Sequence, residues 1–255
     1  MSTATKEAPV TTQSQYTQAQ LRNNRIAIYK KHIKARAINR GVNGEVFHVP
    51  ESLVVRQKNF KLFVIHNFIN DMDRPGMWPD VITNLPVYKK LKEYSETSYG
   101  AAMVYRILQD NKKRLLMKQP LFAVEYDDGA YGQDARGGLN KIRLTKDFPD
   151  SRPYPGGERK YFPAIIHHEM GHTRFFRKNT TDKTMITLED ERQVVINIEN
   201  PIRMKKGYEP RYSYTRDAQT INIITGKYHS RGFLTVHESD PRIPMKVATK
   251  GAFRR

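Results

Sequence analysis

Two histidines in "AIIHHEMGHTRFF", His168 and His172, stand four residues apart with Glu169 directly after the first. On a helix that spacing puts both imidazoles on one face, a turn apart, about 6 Å from each other. A tetrahedral Zn²⁺ can take two ligands from such a pair. Glu169 would then be no ligand. Its carboxylate would reach a water held by the metal, take its proton, and return it to a leaving amine. Gly171 leaves room beside the metal. An ordinary buried helix with two hydrogen-bonded histidines has the same five letters, so the surrounding residues must decide between the readings.

Catalytic zinc takes three protein ligands and keeps one position for water. The chain has no cysteine, so any further ligand is His, Asp, Glu or Tyr. In "TLEDERQVVINIENPIR", residues 187–203, Thr187 and Asp190 resemble a helix-capping pair. Leu188, Val194, Val195 and Ile198 then recur at helical spacing. At about 100° per residue, Glu191 falls in the middle of that apolar stripe, Glu189 nearly opposite, Asp190 to the side and Glu199 on its edge. An ionised carboxylate facing a core is costly unless it is paired or bound to metal. Glu191 is therefore the candidate third ligand, with a core salt bridge as the alternative. Asn200 reads as the cap of a further helix, Pro201 as its first residue and Gly207 as its end. Two histidines and a carboxylate suit Zn²⁺ and also Fe(II) or Mn(II).

The elements that must hold these groups are less sharply written. "YFPAII" starts the histidine helix, with Pro163 in its first turn and Ile165, Phe175 and Phe176 packing it inward. "QLRNNRIAIYKKHIKARAIN", residues 20–39, reads as a basic helix with Leu21, Ile26, Tyr29, Ile33 and Ala37 near one face. "SLVVRQKNFKLFVIHNFIND" reads as two strands or as a strand running into a helix, followed by a turn at "RPGMWPD". Val87 to Leu116 reads as helical, with Tyr88, Leu91, Tyr94, Met103, Ile107 and Leu108 as core. "PLFAVEYDDGAYGQDARGGLNKIRLT" reads as β structure, with a hairpin signal at Asp128-Gly129 and a second strand carrying Leu139, Ile142 and Leu144. A proline-rich loop, "DFPDSRPYPGGERKYFP", leads into the histidine helix. Of the other histidines, His167 points about 100° away from the pair and reads as surface or as a neighbour of the site. His32, His48, His66, His229 and His237 are scattered.

The chain of 255 residues has room for a sizeable core, and its hydrophobic share of 38% excludes wholesale disorder. Residues 1–20 lack apolar periodicity and read as a disordered tail; residues 21–255 read as a single α+β domain with an N-terminal helical arm. No apolar run is long enough for a transmembrane helix, and no classical signal peptide is written at the N-terminus. The net charge of +18 favours anionic surroundings. The charge is dispersed, with clusters at residues 22–40, 112–118 and 246–255. No nucleic-acid-binding motif accompanies it, so no specific nucleic-acid partner is expected.

His168-Glu-Met-Gly-His172 followed by "ERQVVINIENPIRMKKGYEPRYSY", residues 191–214, resembles the bacterial effector zinc metallopeptidases of peptidase family M91. The resemblance rests on Glu191, Glu199-Asn200, Arg203, Gly207 and Arg211-Tyr212-Ser213-Tyr214, and covers roughly residues 138–214. It implies a zincin-like fold of the Glu-ligand type, with the HExxH helix beside a small β-sheet. It implies Zn²⁺ on His168, His172 and Glu191, Glu169 as base, and Arg211 and Tyr214 as stabilisers of the transition state. An oxyanion that a metal only partly neutralises needs such donors. Asn200 and Arg203 would be structural, as a cap and a brace. The resemblance further implies a protein substrate in a host or rival cell, with an immunity protein or secretion-system carrier as further partners. Export would use a specialised secretion system without a classical signal peptide. Two other readings stand beside it: a basic nucleic-acid- or membrane-binding protein with a structural zinc, and a zinc hydrolase of cell-wall peptides.

Overall fold

Phe60, Phe63, Val64 and Asn67 recur at three- and four-residue spacing, and all four are buried. That period is helical, and the β-branched residues around it do not override it. In the computed structural model this segment is a helix, α2 (Leu53–Asn67), that runs directly into a short strand, β1 (Phe68–Asn70). The order is thus the reverse of the expected strand-then-helix. The structure describes residues 18–33, 38, 40–41, 45–70, 83, 85–127, 135–145, 154, 158–177, 186–216 and 219–230. The turn at "RPGMWPD", the Asp128-Gly129 signal, most of the proline-rich loop, His237 and the basic stretch 246–255 lie outside these. So does the expected disordered tail, except that α1 (Gln18–His32) begins within it. α1 is helical only to His32, short of the expected Asn39.

The long helical segment is broken into α3 (Pro86–Glu96) and α4 (Ser98–Leu116). Thr97 makes the break. Its side chain accepts from Gly100 N–H and caps α4. A side chain at Gly100 would lie 1.9 Å from the Tyr94 carbonyl oxygen, so the corner requires glycine. Tyr94 and Leu91 from α3, and Met103 and Ile107 from α4, are fully buried.

β2 (Ala123–Asp127), β3 (Ala135–Gly138) and β4 (Lys141–Thr145) join β1 in a four-stranded sheet of order β1-β2-β4-β3. β1, β2 and β4 are parallel, and β3 is an antiparallel edge strand. The tight connection therefore lies at Leu139-Asn140, between β3 and β4, and β2 does not form a hairpin with the strand that follows it. Val124, Ile142 and Leu144 face the helices and are wholly buried.

α5 (Phe162–Gly171) packs against β3, α3 and the next helical rod. That rod comprises α6 (Leu188–Val194), a π-helical turn (Val195–Glu199) and α7 (Asn200–Lys205) without interruption. Asn200 is thus inside a continuous rod and caps nothing. Gly207, at φ 77°, ends it as expected. A three-stranded antiparallel sheet, β5 (Ser213–Arg216), β6 (Gln219–Asn222) and β7 (Tyr228–Ser230), closes the far side. A smaller core of Tyr29, Leu188, Val195, Ile196, Ile221 and Ile223 ties α1, the rod and this sheet together. The fold is mixed α+β. Among the described residues no helix is long and apolar enough to cross a membrane.

Candidate metal centre

Pro163 sits in the first turn of α5, and the helix ends at His172, the C-cap residue. Ala164, Ile166 and Met170 are fully buried, so α5 is held on several sides. Its last turn carries His168 and His172 toward the rod. Gly171 makes the approach close: a Cβ there would stand 2.7 Å from Ile198 Cδ1 and 2.8 Å from Val194 Cγ1. On the rod, Thr187 and Asp190 form the expected reciprocal cap, each side chain accepting from the other's backbone N–H. That cap fixes where α6 begins and therefore where Glu191 points.

Three donor atoms converge. His168 Nε2 is 3.0 Å from Glu191 Oε2, His172 Nε2 is 3.1 Å from the same oxygen, and the two nitrogens are 3.2 Å apart. All three residues are buried. A tetrahedral metal with bonds of about 2.0–2.1 Å holds its ligand atoms roughly 3.3 Å from each other, close to this triangle. The trio His168, His172 and Glu191 can hold a metal ion.

The rod supplies a second carboxylate to the same imidazole. Glu199 Oε2 lies 3.0 Å from His168 Nδ1, approaching obliquely rather than along the N–H direction. On an uninterrupted α-helix, eight residues would leave Glu199 roughly 80° round the axis from Glu191. A π turn has the geometry of one residue inserted into an α-helix, which removes about 100° and brings the two carboxylates within roughly 20° of each other. The wide turn is sealed from outside: the Tyr29 hydroxyl, on α1, donates to the Ile196 carbonyl at 3.1 Å.

Glu199 is wholly buried, and its charge is balanced locally. Arg211 Nη1 is 3.4 Å from its Oε2, Arg203 Nη1 is 3.8 Å from its Oε1, and the Tyr154 hydroxyl donates to Oε1 at 3.2 Å. Arg203 is also wholly buried and donates to the carbonyls of Glu209 and Arg159. Asn200 clamps the backbone of Arg211, donating to its carbonyl and accepting from its N–H. Asn200 is thus a brace, as is Arg203.

Arg211 and Tyr214 occupy different layers. Tyr214 lies beside the trio, its ring parallel to that of His168 with centroids 5.8 Å apart. Arg211 stands behind, over the rings of Tyr154 and Tyr214 at 4.1 and 4.4 Å, with Nε donating to Ser213 O. Its nearest carboxylate is Glu199. Glu169 is buried beside the trio, on the same helix.

The electrostatics call for positive charge at the trio. Burial alone would lower the His168 pKa, but the Glu191 and Glu199 carboxylates push it up to about 10. Burial likewise opposes ionisation of Glu199, yet Arg211, His168 and Arg203 hold its carboxyl down to about 2. Glu191 is held well below the carboxylate range by the two imidazoles despite burial. Glu169 is raised, first by burial, against the pull of both histidines. Burial and the carboxylates of Glu191 and Glu169 raise Tyr214, which stays a neutral phenol. A proton on His168 answers the demand, and a metal ion held by the trio could answer it too.

His167 is neither surface nor part of the metal centre. It is buried among Tyr94, Tyr99 and Phe176, with Nδ1 2.7 Å from the Tyr94 hydroxyl. Burial lowers its pKa to about 4. His32, His48 and His66 are exposed. Sequence reasoning missed three supports. Tyr154 carries no spacing signal, Tyr29 reads only as a core residue, and Glu199 belongs to the motif resemblance and to the edge of the stripe, with no contact to His168 predicted. The four-residue spacing of Glu199 and Arg203 was a legible hint of their pairing. No protein-family model matches the chain, and neither a curated protein nor a solved structure matches it.

Proposed function

We propose that the chain is a zinc-dependent endopeptidase with a zincin-like arrangement, acting as an exported bacterial effector or toxin on a protein substrate. The observation that carries the catalytic part is the buried triangle of His168, His172 and Glu191 with Glu169 beside it. The effector part rests on the motif resemblance at residues 191–214.

His168, His172 and Glu191 would hold zinc, which would supply a nucleophile from water near neutral pH and polarise the scissile carbonyl. Glu169 accepts the proton of the attacking water and passes it to the amine that leaves. A buried carboxylate with a raised pKa is the better acceptor for this task. Tyr214, held neutral, donates toward the oxygen on which negative charge develops. Glu199 steadies His168 from its far nitrogen, and Arg211 and Arg203 steady Glu199. A peptide substrate is favoured by β3. It is an edge strand packed on α5, so its outer backbone groups can pair with an extended chain.

Elemental analysis of wild type beside His168→Ala and Glu191→Ala is the first test, with cleavage of a mixed peptide library as the second. The expected result is about one zinc per wild-type chain, lost in both variants. Glu169→Gln should keep the zinc and lose cleavage by roughly 10²- to 10⁴-fold. Folded wild type that takes up no metal when zinc is supplied would sink the reading.

A further inference from the structure

The exposed apolar side chains are concentrated in one place. Of ten large hydrophobic residues exposed among the described residues, eight come from α2 and the end of α4. On α2, Lys58, Leu62 and Ile65 lie within about 60° of arc, directly opposite the buried face that carries Phe60, Phe63 and Asn67. At the end of α4, Leu115, Leu116 and Met117 are 62%, 87% and 59% exposed. The chain presents them firmly: Gln119 N–H closes on the Arg114 carbonyl, and Lys118 takes the left-handed φ of 53°. The two sites are one surface, because Leu62 and His66 share a groove with Leu115 and Lys112.

The charge around this surface is of one sign. Lys58, Lys61, Lys112, Lys113 and Lys118 are exposed there. Neither residues 53–67 nor residues 111–124 contain an acidic side chain. Apolar side chains at the centre, lysines around them and no carboxylates within either segment make a combination suited to a bilayer interface with anionic headgroups. A nucleic acid would use the lysines and leave Leu116 and Met117 in water. A second copy of the chain would bring another +18 against the same lysines.

We infer that the face formed by α2 and the C-terminal end of α4 is a docking surface for anionic membrane, with Leu115, Leu116 and Met117 entering the interface and the flanking lysines meeting lipid headgroups. The inference does not rest on the metal centre.

The test is co-sedimentation of the full chain with phosphatidylcholine vesicles, with and without about 30% phosphatidylserine, near physiological salt. A Leu116→Glu/Met117→Glu variant is compared with Val46→Glu/Tyr228→Glu, which makes the same charge change at exposed apolar residues elsewhere. Circular dichroism checks that both keep the fold. The expected result is binding to the anionic vesicles only, weakened about tenfold or more in the first variant and less than about twofold in the second. No wild-type binding, or equal loss in both variants, would overturn the inference. So would a wild-type dimer in sedimentation that Leu116→Glu/Met117→Glu dissociates, which would make the face a self-association surface.

Discussion

Glu199 and Glu191 grip opposite nitrogens of the same imidazole, that of His168, across a π-helical turn. Glu191 reaches the nitrogen that faces the metal position and Glu199 the nitrogen behind it. A carboxylate behind a ligating histidine fixes the ring and raises its donor strength. Glu199→Gln keeps the shape but removes the charge. Zinc affinity, measured by competition with a chromogenic chelator, should fall about 10- to 100-fold, with Glu191 and the histidines intact.

The π turn makes an unusual prediction about chain length. Deleting Asn197, half-buried within the turn, leaves the two carboxylates seven positions apart, which a plain α-helix accommodates within roughly 20°. Metal binding should survive the deletion, at the cost of the Tyr29–Ile196 hydrogen bond, about 1 kcal/mol. Inserting one alanine after Asn197 turns Glu199 about 100° away and should weaken metal binding at least as much as Glu199→Gln. Isothermal titration of zinc into both variants separates the cases. Loss of binding on deletion with retention on insertion would refute this account of the turn.

Gly171 sets the spacing of α5 and the rod. An alanine there meets Val194 Cγ1 and the end of Ile198. The isoleucine tip can move, whereas the valine branch is fixed near the backbone. Gly171→Ala should therefore destabilise by about 1–3 kcal/mol in urea unfolding. Gly171→Val should cost more and should also loosen the metal, because His172 is the next residue.

His167 gives the fold an acid sensitivity separate from the metal. Its folded pKa of about 4 lies below the ordinary value of 6.5, so the unfolded chain holds more protons between these limits. The stabilisation is present above pH 6.5 and is lost as pH falls toward 4. The gap is worth up to about 3 kcal/mol. The groups facing the ring are the Tyr94 hydroxyl, the Ile38 carbonyl and the rings of Tyr99 and Phe176, none of which titrates in that range. Urea unfolding from pH 7 to pH 4, with chelator present throughout, should show a steeper decline for wild type than for His167→Asn. Parallel declines would assign the acid sensitivity to other groups.

The site was more legible in the sequence than the frame around it. His168, His172 and Glu191 could be placed because helical period is a short-range property, and one buried carboxylate in an apolar stripe is conspicuous. Glu199 could not, because the 100° count assumes an unbroken helix and nothing in "VVINIEN" announces the extra residue in the turn. The 53–70 segment misled because its β-branched residues suggest strands, while its period, visible in Phe60, Phe63, Val64 and Asn67, is helical. The pairing of β2 with β4 rather than with β3 is a choice among non-local partners, which local turn signals do not settle.

The hydrogen bond from Tyr29 to Ile196 bridges 167 positions of sequence, and Tyr154 reaches Glu199 across 45. Contacts so distant form only when most of the chain has found its place. A thread of this polypeptide passing unfolded through a narrow channel would carry its histidines and glutamates as separate, ordinary side chains. The centre therefore exists only in the folded chain, and whatever delays folding also delays its assembly.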